Sequence, residues 1–252
     1  MKIVVCVKAV PSCLAEPGLP DAQVLALNPY DTFALKKLVE RIRPHEDTIT
    51  CLCMGPPHAR AALERCLALG AAEAILLSDS RFSGSDTFAT AIVLSAALQR
   101  IDFDVVVCGH EAVDGETGQV PYETAVRLGL TCIGEVIDFQ FSGHTILIDR
   151  QERNIVNTIQ AHPPFMICCR ELCLQTNVSL MARKRAKGKE IPVWNADHLS
   201  MDLSLCGQEG SRTKVIRSTQ KSITRVKEPQ YFQESPEKAA EFLLNQCREH
   251  VK

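Results

Sequence analysis

The sequence predicts an α/β fold built on a mostly parallel, twisted sheet with flanking helices. Three observations carry this. Short β-branched runs alternate with longer segments whose apolar residues recur every three or four positions, as in βαβ units. Residues that favour helix starts, Pro57, Asp86 and Thr117, stand at the beginnings of the longer segments. The chain, 252 residues with 46% hydrophobic side chains, is long enough to bury a core without disulfide staples.

The expected strands are Ile3 to Val7, Ile49 to Met54, Ala74 to Leu77 and Asp104 to Cys108. Between and after them, Thr32 to Ile42, Pro57 to Leu69, Asp86 to Arg100 and Thr117 to Leu128 read as helices covering the sheet. Pro57 suits a first helical turn, and Asp86 and Thr117 suit N-caps. After Gly134 the pattern changes to Val136 to Phe141, Thr145 to Asp149, Ile155 to Ile159 and Phe165 to Cys169, without intervening helices. That reads as an antiparallel addition, with Ser142-Gly143 as a hairpin turn. From Leu174 the chain is polar until an amphipathic helix, Pro236 to Val251. The expected organisation is therefore a nucleotide-binding α/β domain over 1–173 and, over 174–252, an extended arm and helix that pack on a partner subunit.

A formal net charge of -2 and 23% charged residues point away from nucleic-acid binding and from disorder. The apolar run Ile3 to Val7 is too short for a signal peptide, and nothing approaches the ~18 apolar residues of a membrane helix, so a cytoplasmic location is expected. Twelve cysteines are dispersed, several inside apolar strands, without paired C-x-x-C spacing. They read as small buried side chains in a reducing compartment. The basic run Arg183 to Lys189 lacks interleaved aromatics and reads as a solvated face or a dock for an acidic protein.

The strongest local signal is Val105-Val106-Val107-Cys108 followed by Gly109 to Gln119 and then a helix. A loop leaving the carboxyl end of a parallel strand is where open α/β sheets bind ligands. Gly109, Gly115 and Gly118 can take positive φ and admit a close ligand, and free N–H groups at the helix start attract phosphate. Asp114 and Glu116 suit ribose hydroxyls or solvent better than phosphate. A plain glycine-rich connection is the competing reading. A second candidate is Ser83 to Thr90, where Thr87 and Thr90 lie one turn apart behind Asp86, although an ordinary capped helix accounts for it too. Its Ser-Gly-Ser-Asp start mimics the pyrophosphate loop of ATP-splitting ligases, but those carry it after the first strand. No nucleophile elbow, Walker loop, H-E-x-x-H or early G-x-G-x-x-G occurs, which argues against an enzyme with its own hydrolytic or transfer chemistry. His110 lies in the first candidate loop, where a lone histidine is usually polar surface.

Read in order, several segments resemble the β subunit of electron-transfer flavoproteins over nearly the whole chain. They are Val5 to Pro11, Leu27-Asn28-Pro29-Tyr30-Asp31, Met54-Gly55-Pro56, Ala68 to Ala71, Ser85 to Thr90, Ala112 to Val120, Ala186 to Lys189 and Gly210 to Val215. The resemblance implies a Rossmann-like fold of the adenine nucleotide alpha hydrolase type. It also implies a heterodimer whose α subunit carries FAD, with AMP or a second FAD in this chain, passing electrons between acyl-CoA or related dehydrogenases and an acceptor. It places nucleotide contacts at Ala9, Asn28, Met54, Gly55, Asp114, Gly115, Glu116, Thr117, Gly118, Gln119 and Val120, while Gly109 is expected in the site from the glycine-rich loop itself. The form of the loop together with Asp86, Thr87 and Thr90 resembles the electron-bifurcating, anaerobic branch, in which those threonines would lie near the flavin. Counting back from the basic segment puts Leu180 where the family inserts a leucine into a dehydrogenase. The alternative from another class is a stand-alone ATP- or AMP-binding regulator of the universal-stress type, whose late glycine-rich phosphate stretch is missing here.

Overall fold

The computed structural model describes residues 1–15, 24–43, 45–174, 177–217 and 235–250. It divides into two units, Met1–Lys214 and Val215–Lys252.

In the first unit, strand β1 (Lys2–Val7) leads into a small antiparallel pair, β2 (Ala9–Pro11) and β3 (Leu25–Leu27), with a one-turn helix α1 (Ser12–Ala15) after β2. Helix α2 (Pro29–Arg41), β4 (Thr48–Met54), α3 (Arg60–Leu69), β5 (Glu73–Leu77), α4 (Thr87–Leu98), β6 (Val105–Gly109) and α5 (Val120–Leu128) follow in the expected alternation. Then come β7 (Thr131–Ser142), β8 (Thr145–Glu152), β9 (Ile155–Ala161) and β10 (Phe165–Cys169). The unit ends with α6 (Leu180–Lys187), β11 (Val193–Trp194) and the short helices α7 (Ala196–Leu199) and α8 (Gly207–Gly210).

The main sheet has nine strands in the order β11-β5-β4-β1-β6-β10-β7-β8-β9. Pairing is parallel from β11 to β7 and antiparallel from β7 to β9. Alternate residues of β1 feed two cores. Ile3, Val5 and Val7 pack with Leu35, Leu38 and Leu63 of α2 and α3, whereas Val4 and Cys6 pack with Val93, Leu94 and Ala125 of α4 and α5. On one side of β1 the chain proceeds outward through β4, β5 and β11, on the other it continues from β6 with β10 inserted before β7, and helices change faces between β1 and β6. Strand order reverses there, which in such sheets opens a crevice at the carboxyl ends.

Three expectations need correcting. Phe165 to Cys169 is not part of the antiparallel addition; β10 is a parallel strand between β6 and β7. All five of its residues are buried, and a continuous apolar run suits a strand covered on both faces, whereas a half-exposed antiparallel strand alternates. The segment after 174 is not extended throughout: Ala186, Ile191, Ala196, Leu199 and Cys206 enter the two cores, and β11 joins the edge of the sheet. Contacts therefore group residues up to Lys214 with the sheet. Thr117 is not an N-cap, because α5 starts at Val120 and Gln119 holds that position. By contrast Asp86 caps α4 as expected, its carboxylate accepting from Ala89 N at 3.0 Å.

Eight cysteines are buried and Cys132 and Cys173 are partly so, among the described residues. In the second unit the described helix is α9 (Pro236–His250), within one residue of the helix expected there. No described helix is long and apolar enough to cross a membrane.

Candidate functional site

A cleft of about 990 Å³ lies over the point where strand order reverses. Its floor comprises Cys6 and Val7 of β1, Met54 of β4, and Cys108 and Gly109 of β6, all at carboxyl ends. The loops after β5 and β6 and the first turns of α4 and α5 form the walls. This volume is at the upper end of what small-molecule sites occupy.

Asp31, in the first turn of α2, fastens the floor. Its carboxylate accepts from Lys8 N at 2.7 Å and from Gly109 N at 3.0 Å, tying the ends of β1 and β6 together. It is 4% exposed, and burial pushes its pKa up to about 7 against the opposing pull of these donors and of Asn28. Gly109 is required by this closeness. A Cβ there would stand 2.5 Å from Asp31 Oδ1 and 2.6 Å from Tyr30 Cβ.

The loop after β6 is shaped from below by Asn28, whose Nδ2 donates to Glu111 O at 2.8 Å and whose Oδ1 accepts from Val113 N at 3.3 Å. Tyr30 Oη donates to Glu111 Oε1 at 3.0 Å. Gly115 N and Glu116 N both donate to Ala112 O, closing a turn. Positive φ falls at Glu116 (+49°) and Gly118 (+61°), not at Gly109 or Gly115. Gly109 therefore serves close packing, and a glutamate takes a left-handed conformation expected of glycine. Among the described residues, the N–H groups of Thr117, Gly118 and Gln119 have no acceptor within the chain. They sit just ahead of α5, whose positive dipole end faces the same way.

The loop after β5 has its polar groups largely engaged. Asp86 Oδ2 accepts from Arg212 N, Thr213 N and Thr213 Oγ1, so the cap also holds segment 212–213. Those donors, together with the amide of Ala89, keep its carboxyl below the ordinary value despite burial. Thr87 Oγ1 donates toward Gln119 Oε1 at 3.1 Å and Glu123 Oε1 at 3.3 Å, bridging α4 to α5. Thr90 also lines the cleft, as do Leu94 and Thr124.

Asn28, Met54, Gly55, Asp86, Thr87, Thr90, Gly109, Gly115, Glu116, Thr117, Gly118, Gln119 and Val120 all line one cleft. Asp114 stands outside the lining, its carboxylate paired with Lys8 Nζ at 2.8 Å. Ala9 is in β2, opposite Leu27 and packed on the core, and is also outside the lining. Leu180 opens α6 behind the Ser179 cap, away from the cleft, and is 81% exposed.

Sequence reasoning missed Asp31, Lys8 and Thr124 as cleft residues. Thr124 is 1% exposed and its Oγ1 has no hydrogen-bond partner, nor has the buried Glu123 Oε2. An unanswered buried hydroxyl in a cleft wall is unusual. Helical spacing from Val120 was the one signal that could have found it. His110 donates its backbone N–H to Cys169 O, while its Nδ1 lies 3.5 Å from Glu135 Oε1 without a formed hydrogen bond.

The sequence pattern of the electron transfer flavoprotein domain matches residues 21–199. The electron transfer flavoprotein subunit beta of Clostridium acetobutylicum is 32% identical over 235 residues, covering 88% of this chain and 89% of that protein. Protein FixA of Azorhizobium caulinodans is 34% identical over 238 residues, covering 86% and 83%. Subunit CarD of the caffeyl-CoA reductase-Etf complex of Acetobacterium woodii is 32% identical over 233 residues, covering 86% and 87%. Similarity of this extent spans both the sheet and the cleft, and the chain belongs to the electron transfer flavoprotein family, as a relative of its beta subunits.

Proposed function

We propose that this chain is the β subunit of a heterodimeric electron-transfer flavoprotein, and that its cleft holds an adenine nucleotide, either AMP or the adenine half of a second FAD. The observation that carries this reading is the loop of Thr117 to Gln119, which lines a cleft at the strand-order reversal and whose amides have no acceptor among the described residues. The residues present suit such a group. Amides at a helix start donate to phosphate oxygens, and the buried Thr124 hydroxyl lacks a partner that a ligand would provide. Gly115 N and Glu116 N are already used by the turn, so phosphate contact falls to Thr117, Gly118 and Gln119.

A bound flavin supplies the redox chemistry. This chain positions and insulates it. Asp31 and Gly109 hold the floor, Asn28 fixes the phosphate loop, and Thr87 with Gln119 fixes the spacing of α4 and α5. The cleft, about 990 Å³, is lined by Thr87 and Thr90 as well as by the phosphate loop, and the resemblance of the loop and of Asp86, Thr87 and Thr90 to the bifurcating branch is what favours the second-FAD form. The FAD-bearing α subunit is the proposed partner of the C-terminal segment, and an acyl-CoA or related dehydrogenase is the proposed partner of Leu180. CarD is named as part of a reductase–Etf complex, which supports a dehydrogenase-type partner. A cytoplasmic setting accords with the reading. The universal-stress alternative is disfavoured by family membership.

The test is to co-express the chain with its α subunit and to measure FAD and AMP released per heterodimer. One FAD with one AMP supports the AMP form, and two FAD support the bifurcating form. A stable complex that releases no nucleotide from this chain refutes the proposal.

A further inference from the structure

We infer that Lys8 is the phosphate-binding cation of the cleft, held ready by Asp114 and taken over by the 5′-phosphate or pyrophosphate of the ligand; this rests on the nucleotide reading above. Lys8 is the first residue beyond β1, directly at the strand-order reversal. Its backbone is pinned on both sides, the N–H by Asp31 Oδ2 at 2.7 Å and the carbonyl by Asn28 N at 3.0 Å. The side chain therefore starts from a fixed point. Its Nζ reaches Asp114 Oδ1 at 2.8 Å and lies 4.0 Å from where a Cβ on Gly115 would stand. That puts the ammonium beside the turn that precedes the unengaged amides of Thr117, Gly118 and Gln119.

Charge balance gives Lys8 its role. Among the described residues lining the cleft it is the one permanent cation, against the carboxyl groups of Asp31, Asp79, Asp86, Glu111 and Glu116. Several of these are answered locally: Asp79 by Arg81, Asp86 by backbone amides, and Glu111 by the Tyr30 hydroxyl. None supplies positive charge to a ligand. A phosphate entering the loop would otherwise meet only dipoles and an acidic surround. The Lys8–Asp114 pair is 49% and 24% exposed at its two side chains, and pairs so open to water contribute little. A phosphate dianion, with more charge and with amides converging on it, outcompetes the single carboxylate. Asp114 thereby acts as a placeholder that keeps the lysine over the loop.

The rival account is that the ion pair merely pins the loop. Binding of AMP and of adenosine to the full chain, measured by calorimetry at two salt concentrations, separates the two. Lys8→Met should weaken AMP roughly ten- to hundredfold, the usual range for loss of one charge-assisted hydrogen bond, and leave adenosine within about twofold. It should also flatten the salt dependence of AMP binding. Lys8→Arg should recover most of the AMP affinity. If Lys8→Met fails to fold, judged by its thermal melt, Lys8→Gln takes its place with the same expectation. AMP binding unchanged by loss of the charge, or AMP and adenosine weakened equally, overturns the assignment while leaving the nucleotide reading standing. Wild-type chain that binds neither compound refutes the nucleotide reading and this assignment with it.

Discussion

Replacing Asp31 by Asn tests the account of the cleft floor, because it removes a titration that burial has displaced. The carboxyl ordinarily titrates near 3.8 and in the fold near about 7, burial being the main cause. A raised carboxyl pKa means that the folded chain binds the proton more tightly than the unfolded one. Its contribution to stability is thus full below 3.8 and is lost as pH rises towards 7, then stays level. Integrating that linkage, the wild type should lose about 2.5 kcal/mol between pH 5 and pH 8 through this group alone. Asp31→Asn cannot titrate, so it should lack that part of the slope. It also carries a pH-independent penalty of about 1–3 kcal/mol, since its Nδ2 would face either Lys8 N–H or Gly109 N–H, donor against donor. Urea unfolding of both proteins at intervals across that pH range supplies the difference curve, in which all other titrations cancel. Wild-type stability minus variant stability should fall by about 2.5 kcal/mol as pH rises from 5 to 8, and change sign wherever the penalty is smaller than that. Parallel profiles would refute the claim that a buried Asp31 takes up its proton in this window.

Three further outcomes are expected. Gly109→Ala places a Cβ 3.0 Å from Asp31 N and closer still to Asp31 Oδ1 and Tyr30 Cβ, so it should lower stability by about 1–3 kcal/mol in thermal melts and weaken AMP binding with it. Thr124→Val removes a buried hydroxyl that nothing in the chain satisfies. The nucleotide-free chain should be as stable or up to about 1 kcal/mol more so by urea titration, while nucleotide affinity falls. Leu180→Asp, at a residue 81% exposed, should change the melting midpoint little and slow electron transfer with the partner dehydrogenase in stopped-flow measurements. Unaltered transfer would remove Leu180 from the docking surface.

Much of the fold was readable because its signals are local. Each parallel strand up to β6 is a short apolar run, and each covering helix repeats its apolar face at three and four residues, so periodicity alone placed them. Asp86 as a cap was readable for the same reason, since a cap acts on an amide three residues away. β10 was not. Its sequence neighbours β8 and β9 are antiparallel, and only long-range pairing puts Phe165 beside Val105 and Thr131. The short buried contributions of Ala186, Ile191 and Leu199 were likewise too scattered to register as core.

The site divides along the same line. By itself the sequence determined that a glycine-rich loop follows a buried strand and opens a helix, and the order of its motifs carried the family. Tertiary structure decided which atoms of that loop are free. It spent the amides of Gly115 and Glu116 on Ala112, gave the left-handed position to Glu116, and made Gly109 a matter of room for Asp31. It also brought Lys8, Asp31 and Thr124 into one cleft from the end of β1, α2 and α5. The physical reason is that strand order reverses between β1 and β6. Residues distant in sequence converge there, and hydrogen bonds and charge balance across such a gap depend on distances that no local pattern encodes.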